Sequence, residues 1–242
     1  MNSTISNHVP AILLDDVHLT LTSEAGDVNI LRGTNLNVVS GEAVGIVGPS
    51  GGGKSTMMMV MAGLERASSG IVKTAGVDLN ALGEDALALF RRDNVGIVFQ
   101  DFHLIPTMTA LENVAIPLEL AQKSGTGNDV FKRAEEQLIE VGLGHRLFHY
   151  PGQLSGGEQQ RVAIARAYAP NPKILLADEP TGNLDGETGK LIVDILFDLH
   201  ERIGTTMLLI SHDQAVAVRC DRVVTLADGR IIDDTSAGVP RG

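Results

Sequence analysis

Gly48-Pro49-Ser50-Gly51-Gly52-Gly53-Lys54-Ser55 is the stretch on which the reading of this chain turns. It follows the short apolar run Glu42 to Val47 and precedes the helix-compatible run Ser55 to Leu64, so strand, glycine-rich loop and helix succeed one another directly. The stretch matches G-x-x-x-x-G-K-[ST] in full, in the setting that this pattern requires. Glycines let successive backbone N–H groups curl around phosphate oxygens, and the positive end of the helix adds to them. Lys54 would reach the β- and γ-phosphates and Ser55 would ligate Mg²⁺, with Thr56 beside it on the first turn. A chance glycine-rich turn is the bland alternative, and the strand and helix flanks count against it.

Further along, Ile174-Leu175-Leu176-Ala177-Asp178-Glu179 is an apolar strand ending in two acids. Alone it reads as a strand with a solvated acidic turn. Beside a phosphate loop it becomes a metal and water site, in which Asp178 holds Mg²⁺ and Glu179 polarises the attacking water.

The rest of the chain supplies the frame. Ala11 to Val39 alternates as two strands, with Val17, Leu19 and Leu21 against polar neighbours and a turn signal at Glu24 to Asp27. After Gln100 the pattern becomes helical, at Ala110 to Gln122 and Asp129 to Val141, with Ser124 to Asn128 as a linker. A parallel-sheet rhythm returns with strand Lys173 to Ala177, helix Glu187 to Arg202, strand Thr205 to Ile210, helix Gln214 to Arg219 and strand Arg222 to Leu226.

Composition removes several classes of function. The 242 residues carry 19 Lys and Arg against 30 Asp and Glu, a net charge of −11 without basic blocks, which argues against binding nucleic acid. The single cysteine, Cys220, excludes an intrachain disulfide and reads as a small buried residue. The longest apolar stretches, such as Met57 to Leu64, are far short of the roughly 18 to 20 residues that span a bilayer. Met1 to Pro10 has no basic cluster followed by an apolar core, so no secretory signal is visible. The absence of heptad arrays argues against the ATPases that organise chromosomes through long helical arms.

Leu154-Ser155-Gly156-Gly157-Glu158-Gln159-Gln160 then brings in a family. It resembles the signature sequence of ATP-binding cassette (ABC) ATPases, and Ser155 with Glu158 also forms the S-x-x-E capping pattern of a helix start. The other cassette elements follow in the family's order: Gln100 after Val95 to Phe99, Pro180 to Asp185, and His212 after the Thr205 to Ile210 strand. The resemblance implies an α/β fold of the P-loop ABC type. One domain over residues 11–234 is expected, with a RecA-like core plus an antiparallel β subdomain from residues 11–100 and 171–234. Residues 101–170 would form the α-helical signature subdomain, and residues 1–10 and 235–242 flexible tails.

By the same resemblance, Glu179, His212 and Gln100 are the catalytic set, Ser55, Gln100 and Asp178 the Mg²⁺ set, and Gly48 to Thr56 the ATP loop. His212 would hold the γ-phosphate, and Asp185 would brace the phosphate loop of an opposing subunit. Ser155, Gly156 and Gly157 of one copy would close on the γ-phosphate held by another, so a head-to-tail homodimer with two ATP molecules is expected. Counting back from Gly33 and Gly41 puts Leu21 where the family usually stacks an aromatic on adenine. No aromatic residue precedes Phe90, so weakened base discrimination is expected. Gly52 stands where a serine is common.

Phe102, Leu104, Ile105 and Met108 follow the sensor glutamine, where the family receives a membrane permease. With Leu104-Ile105-Pro106-Thr107, Ala110 to Val114 and Arg219-Cys220-Asp221-Arg222, the chain resembles the lipoprotein-release and macrolide-efflux branch, and within it the YbbA type. The implied protein is an ATPase held at the cytoplasmic face of an inner membrane by a permease with a large extracytoplasmic domain. A regulatory or scaffolding cassette, as in cell division, and a free-standing soluble cassette remain as alternatives here.

Overall fold

The computed structural model describes residues 9–23, 26–121 and 127–236. Two long antiparallel strands open it, β1 (Ile12–Ser23) and β2 (Gly26–Val38), and β3 (Ala43–Val47) runs through the glycine loop into α1 (Lys54–Met61). Next come β4 (Ser69–Thr74), β5 (Val77–Asp78), α2 (Glu84–Asn94) and β6 (Val95–Val98). Three helices follow, α3 (Ala110–Ala121), α4 (Gly127–Glu140) and α5 (Gly156–Tyr168). The chain then alternates through β7 (Ile174–Asp178), α6 (Gly186–Ile203), β8 (Thr206–Ile210), α7 (Gln214–Ala217), β9 (Arg222–Ala227) and β10 (Arg230–Ser236).

The strands form two sheets, ordered β2-β1-β4-β5 and β10-β9-β3-β8-β7-β6. The first is antiparallel throughout; the second is parallel except for its edge strand β10. Strands such as β7 and β8 are apolar without alternation because both their faces are covered. Successive side chains point to opposite faces, and the two cores follow this period of two. Ile174, Leu176, Leu208 and Ile210 pack with β1, α1 and α2, whereas Leu175, Ala177, Met207 and Leu209 pack with α3, α4, α5 and α6. The parallel sheet is thus a wall, with the antiparallel sheet, α1 and α2 on one side and α3 to α6 on the other.

Local chemistry sets the element ends. α5 starts at a capping box: the Ser155 N–H donates to Glu158 Oε2 at 2.8 Å and the Glu158 N–H donates to Ser155 Oγ at 3.3 Å. Hydrogen bonding from Ser155, reinforced by Arg146, holds the Glu158 carboxyl below its ordinary range. α6 ends on Gly204 in the left-handed region, φ 72°.

Several boundaries differ from expectation. α1 stops at Met61 rather than Leu64, because the chain turns through Gly63 at φ 67°. α7 ends at Ala217, short of Arg219. Gly26 and Asp27 belong to β2, and Gly127 and Asn128 to α4, while the remaining turn and linker residues 24–25 and 124–126 lie outside the described residues. The expected C-terminal tail starts too early, since Thr235 and Ser236 pair with Val223 and Arg222 on β9; residues 1–8 and 237–242 lie outside the described residues.

The two sheets meet at Gly229, in the β9–β10 turn at φ 71°. Its carbonyl accepts from the Arg32 N–H at 2.9 Å and from Thr34 Oγ1 at 2.8 Å, and its N–H donates to the Gly52 carbonyl at 3.1 Å. A Cβ at this position would overlap the Ile30 carbonyl. Gly229→Ala is expected to cost about 2 kcal/mol or more through strain and overlap. Denaturant unfolding should report that loss and nucleotide titration a parallel loss of affinity, because the phosphate loop leans on the same turn.

Candidate functional site

Four neighbouring parallel strands end on one edge of the sheet, and each delivers a residue singled out by the sequence. The pairings Ile46↔Ile210, Asp178↔Ile210 and Val98↔Ala177 bring the ends of β3, β8, β7 and β6 into line. The Gly48 loop follows β3, His212 follows β8, Asp178 ends β7 with Glu179 next to it, and Gln100 follows β6. Ligands of open α/β sheets bind at this carboxyl edge.

The loop is shaped by backbone. Gly48, Gly51 and Gly53 have φ of 142°, 75° and 96°. A Cβ on Gly48 would overlap the Leu226 carbonyl, and one on Gly53 would come within 3.1 Å of the Ile30 carbonyl. Gly53 is the N-cap of α1 and carries no side-chain cap, so the first N–H groups of the helix are left for an anion. Lys54 is buried, and its Nζ donates to the carbonyls of Gly48 and Pro49, both at 2.9 Å, which holds the ammonium across the loop. Ser55 and Thr56 occupy the first turn behind it.

Asp178 has one buried oxygen, Oδ1, with no hydrogen-bond partner. Burial raises the pKa of its carboxyl, a hydrogen bond from Ser55 and the Lys54 charge pull it back down, and neighbouring Glu179 pushes it further up. An unsatisfied buried carboxylate oxygen beside a serine hydroxyl is the donor set that Mg²⁺ accepts, with phosphate and water oxygens completing the shell. Among the described residues there is no cluster of three His, Cys, Asp or Glu that could hold an ion without such help.

Glu179 adopts a left-handed backbone, φ 45°, held by its N–H donating to the Ile210 carbonyl at 3.0 Å. Its Oε2 lies 2.7 Å from His212 Nδ1 and accepts from the His212 backbone N–H at 3.3 Å. A carboxylate can only accept, so Nδ1 carries the proton in this pair and Nε2 is left free of Glu179. The ring therefore rests on Glu179, a contact between residues 33 positions apart that the sequence does not announce.

Gln100 packs against Gly182, and its Nε2 donates to Asn183 Oδ1 at 3.3 Å; Asn183 returns a bond to Asp101 Oδ1 at 3.0 Å. Asn183, which sequence reading passed over, thus ties the Gln100 loop to the Pro180 to Asp185 loop. Asp185 is the N-cap of α6, accepting from the Thr188 N–H and Oγ1 at 2.9 and 2.8 Å, and these bonds hold its carboxyl below the ordinary range. The neighbours of Gly156 are Leu184 and Phe102, and that of Gly157 is Thr188, so the signature residues Ser155 to Gly157 lie with the start of α6 rather than with the loop of their own chain.

Leu21 pairs with Val28 near the turn end of the β1–β2 hairpin, both exposed, a short way along from the Ile30 carbonyl that faces Gly53. Of the apolar set after Gln100, Ile105 is exposed, Phe102 and Met108 are half-buried, and Leu104 packs against the helical core. Leu104, half-buried, thus turns part of its surface inward, whereas Ile105 stays open to solvent. Asn113, fully buried, holds this segment by donating to the carbonyls of Ile105, Met108 and Thr109 and accepting from the Ile105 N–H at 2.8 Å. Burial and neighbouring Asp221 push the Cys220 thiol up to about 12, which leaves it inert.

Comparison with known proteins agrees with this geometry. The family model described as ABC transporter matches residues 31–182. The lipoprotein-releasing system ATP-binding protein LolD of Geobacter metallireducens is 48% identical over 92% of this chain and 99% of its own length. The uncharacterized ABC transporter ATP-binding protein YbbA of Escherichia coli K12 is 48% identical over 86% of this chain and 90% of its own. The macrolide export ATP-binding/permease protein MacB of Chlorobium luteolum is 46% identical over 93% of this chain, which spans 33% of that protein. The ATP-binding cassette MJ0796, in a dimeric post-hydrolysis state bound to ADP and Pi, superposes with a TM-score of 0.88 at 42% identity, covering 96% of this chain and 99% of that one. A nucleotide-shaped loop, a carboxylate pair at the strand ends and this set of relatives lead to one conclusion: the chain belongs to the ABC transporter family, as its ATP-binding, ATP-hydrolysing cassette.

Proposed function

We propose that this cassette works as a head-to-tail homodimer that couples Mg-ATP hydrolysis to a membrane permease. The observation that carries the reading is the division of the site. Gly48 to Thr56, Asp178, Glu179, His212 and Gln100 share one sheet edge, while Ser155 to Gly157 present a capped helix start elsewhere. Two copies arranged head to tail would complete both sites, and the dimeric MJ0796 cassette supports that arrangement.

Within each site, Lys54 and the loop N–H groups bind the β- and γ-phosphates, and Ser55 and Asp178 hold Mg²⁺ with Gln100 beside it. The ion, when bound, neutralises charge on the phosphate oxygens. Glu179 orients the attacking water and accepts its proton, and His212 fixes Glu179 through the Nδ1 contact and offers Nε2 toward the γ-phosphate side. Ser155 and Gly157 of the second copy close on the γ-phosphate, and Asp185 braces the opposing loop. ATP favours the closed dimer by binding it better than the open one.

The relatives support a permease as the partner. MacB joins a cassette to a permease in one chain, and LolD belongs to a lipoprotein-releasing system. We place this chain with such a permease on the cytoplasmic face of the inner membrane, docking through Phe102, Ile105 and Met108. Among the described residues no helix is long and apolar enough to cross a membrane, so a partner would supply that passage. The work done there is export or mechanical transmission on lipid, lipoprotein or hydrophobic compounds.

Four outcomes test this reading. Glu179→Gln should bind ATP, lower turnover by about 10²- to 10⁴-fold and accumulate a dimer on size exclusion, whereas Lys54→Ala should weaken ATP binding by about 10- to 100-fold. Wild-type turnover in the Glu179 variant would remove that residue from the water site. At the base, Leu21→Tyr should tighten ATP over GTP by a few-fold, since a stacked ring contributes about 1 kcal/mol; an unmoved ATP to GTP ratio would show that the base is not read there. Tagged Glu179→Gln chain with Mg-ATP, captured from detergent-solubilised membranes, should retain a multi-span permease and lose it with Ile105→Asp. Recovery of soluble proteins alone would overturn the transport assignment and leave the ATPase intact.

A further inference from the structure

The loop after Gln100 turns through two consecutive residues with left-handed backbones, Phe102 at φ 58° and His103 at φ 47°. Neither is glycine, so the turn carries backbone strain that its contacts must offset. Arg166, near the end of α5, does so: its guanidinium donates to the His103 carbonyl at 2.6 Å and to the Phe102 carbonyl at 2.8 Å. Among the described residues no carboxylate forms an ion pair with Arg166, so its fork of donors serves these two adjacent acceptors.

Less than two turns earlier on α5, fully buried Gln160 directs Nε2 to the Phe99 carbonyl at 3.5 Å, while its Oε1 is buried without a partner. One helix therefore grips the backbone on both sides of Gln100, and the start of that helix is the Ser155 cap. Beyond His103, Asn113 ties residues 105–109 to α3, which packs on α5. The segment from 99 to 109 thus belongs mechanically to the helices rather than to the strand that precedes it.

We propose that Arg166 is a positioning residue that carries movement of the signature helix into the surface loop Phe102 to Met108, making nucleotide engagement at Ser155 and partner docking at Ile105 a single motion. The proposal rests on the reading that Ser155 and Gly157 meet the γ-phosphate of a second copy. Arg166 itself touches no reacting atom.

The test uses the full chain with Glu179→Gln to stop turnover and Ile105→Trp as its only tryptophan, since the sequence has none. Mg-ATP should dimerise this parent chain on size exclusion and shift its tryptophan emission. Adding Arg166→Ala should leave ATP affinity and dimerisation within about twofold, cut the emission change by about fivefold, and raise iodide quenching without nucleotide by about threefold, because two charge-assisted bonds to the loop are gone. Arg166→Lys, a single point donor, should fall between, and it gives the answer if the alanine variant does not fold. An emission change retained at parental size in the Arg166 variants overturns the proposal, whatever the quenching shows. If Mg-ATP gives no dimer of the parent, the reading of the second-copy contact fails; the nucleotide-free comparison then decides the Arg166 grip, and unchanged quenching overturns it.

Discussion

Backbone pressed against backbone gives the phosphate loop its shape. Gly48 lies against the Leu226 carbonyl at the end of β9, Gly53 against the Ile30 carbonyl of β2, and the Gly52 carbonyl accepts from Gly229 in the β9–β10 turn. A Cβ on Gly48 would overlap its neighbour outright and one on Gly53 would press on the Ile30 carbonyl, so these glycines are fixed by their surroundings as well as by their own torsions. The loop is also where the two sheets touch. Any change in how the antiparallel sheet seats on the parallel one is therefore felt first by the groups that would surround a phosphate.

The charges are arranged around that rigid loop with little freedom. Lys54 is held by two carbonyls and Asp178 is partly buried. Glu179 is fixed by its left-handed backbone and by both the ring and the N–H of His212. Such fixed donors and acceptors need little reorganisation when charge develops on a transferring phosphoryl group. On the proposed reading the remaining donors come from the Ser155 helix start of a second copy; chemistry would then be conditional on two bodies meeting, and a static half-site would become a switch.

Much of this was legible in the sequence because it is local. The strand, loop and helix around Gly48, the apolar strand ending in Asp178 and Glu179, and the Ser155 cap are each written in a few consecutive residues whose spacing matches a physical requirement. Element boundaries were less legible. Where α1 stops depends on Gly63 meeting Leu87 and Leu79, and where β10 ends depends on its pairing with β9. Least legible were the contacts between distant residues: His212 on Glu179, Asn183 on Gln100, Gly229 on Gly52, and Arg166 on two left-handed carbonyls. Sequence spacing carries no mark of them, because each is created by the sheet order. The capping role of Asp185 lies between these cases, since Asp185 followed by Thr188 at a helix start could have been read as a cap.

Asn113 has a thermodynamic meaning apart from geometry. A buried amide that satisfies three carbonyls and one N–H of the 105–109 segment has already removed most of that segment's conformational freedom in the unbound chain. A surface ordered in advance does not lose that entropy again on association. On the proposed docking, the apolar contacts of Ile105 and Met108 with a partner would then count almost in full toward affinity. A modest exposed patch would in this way suffice to hold a membrane partner through repeated cycles of closing and opening.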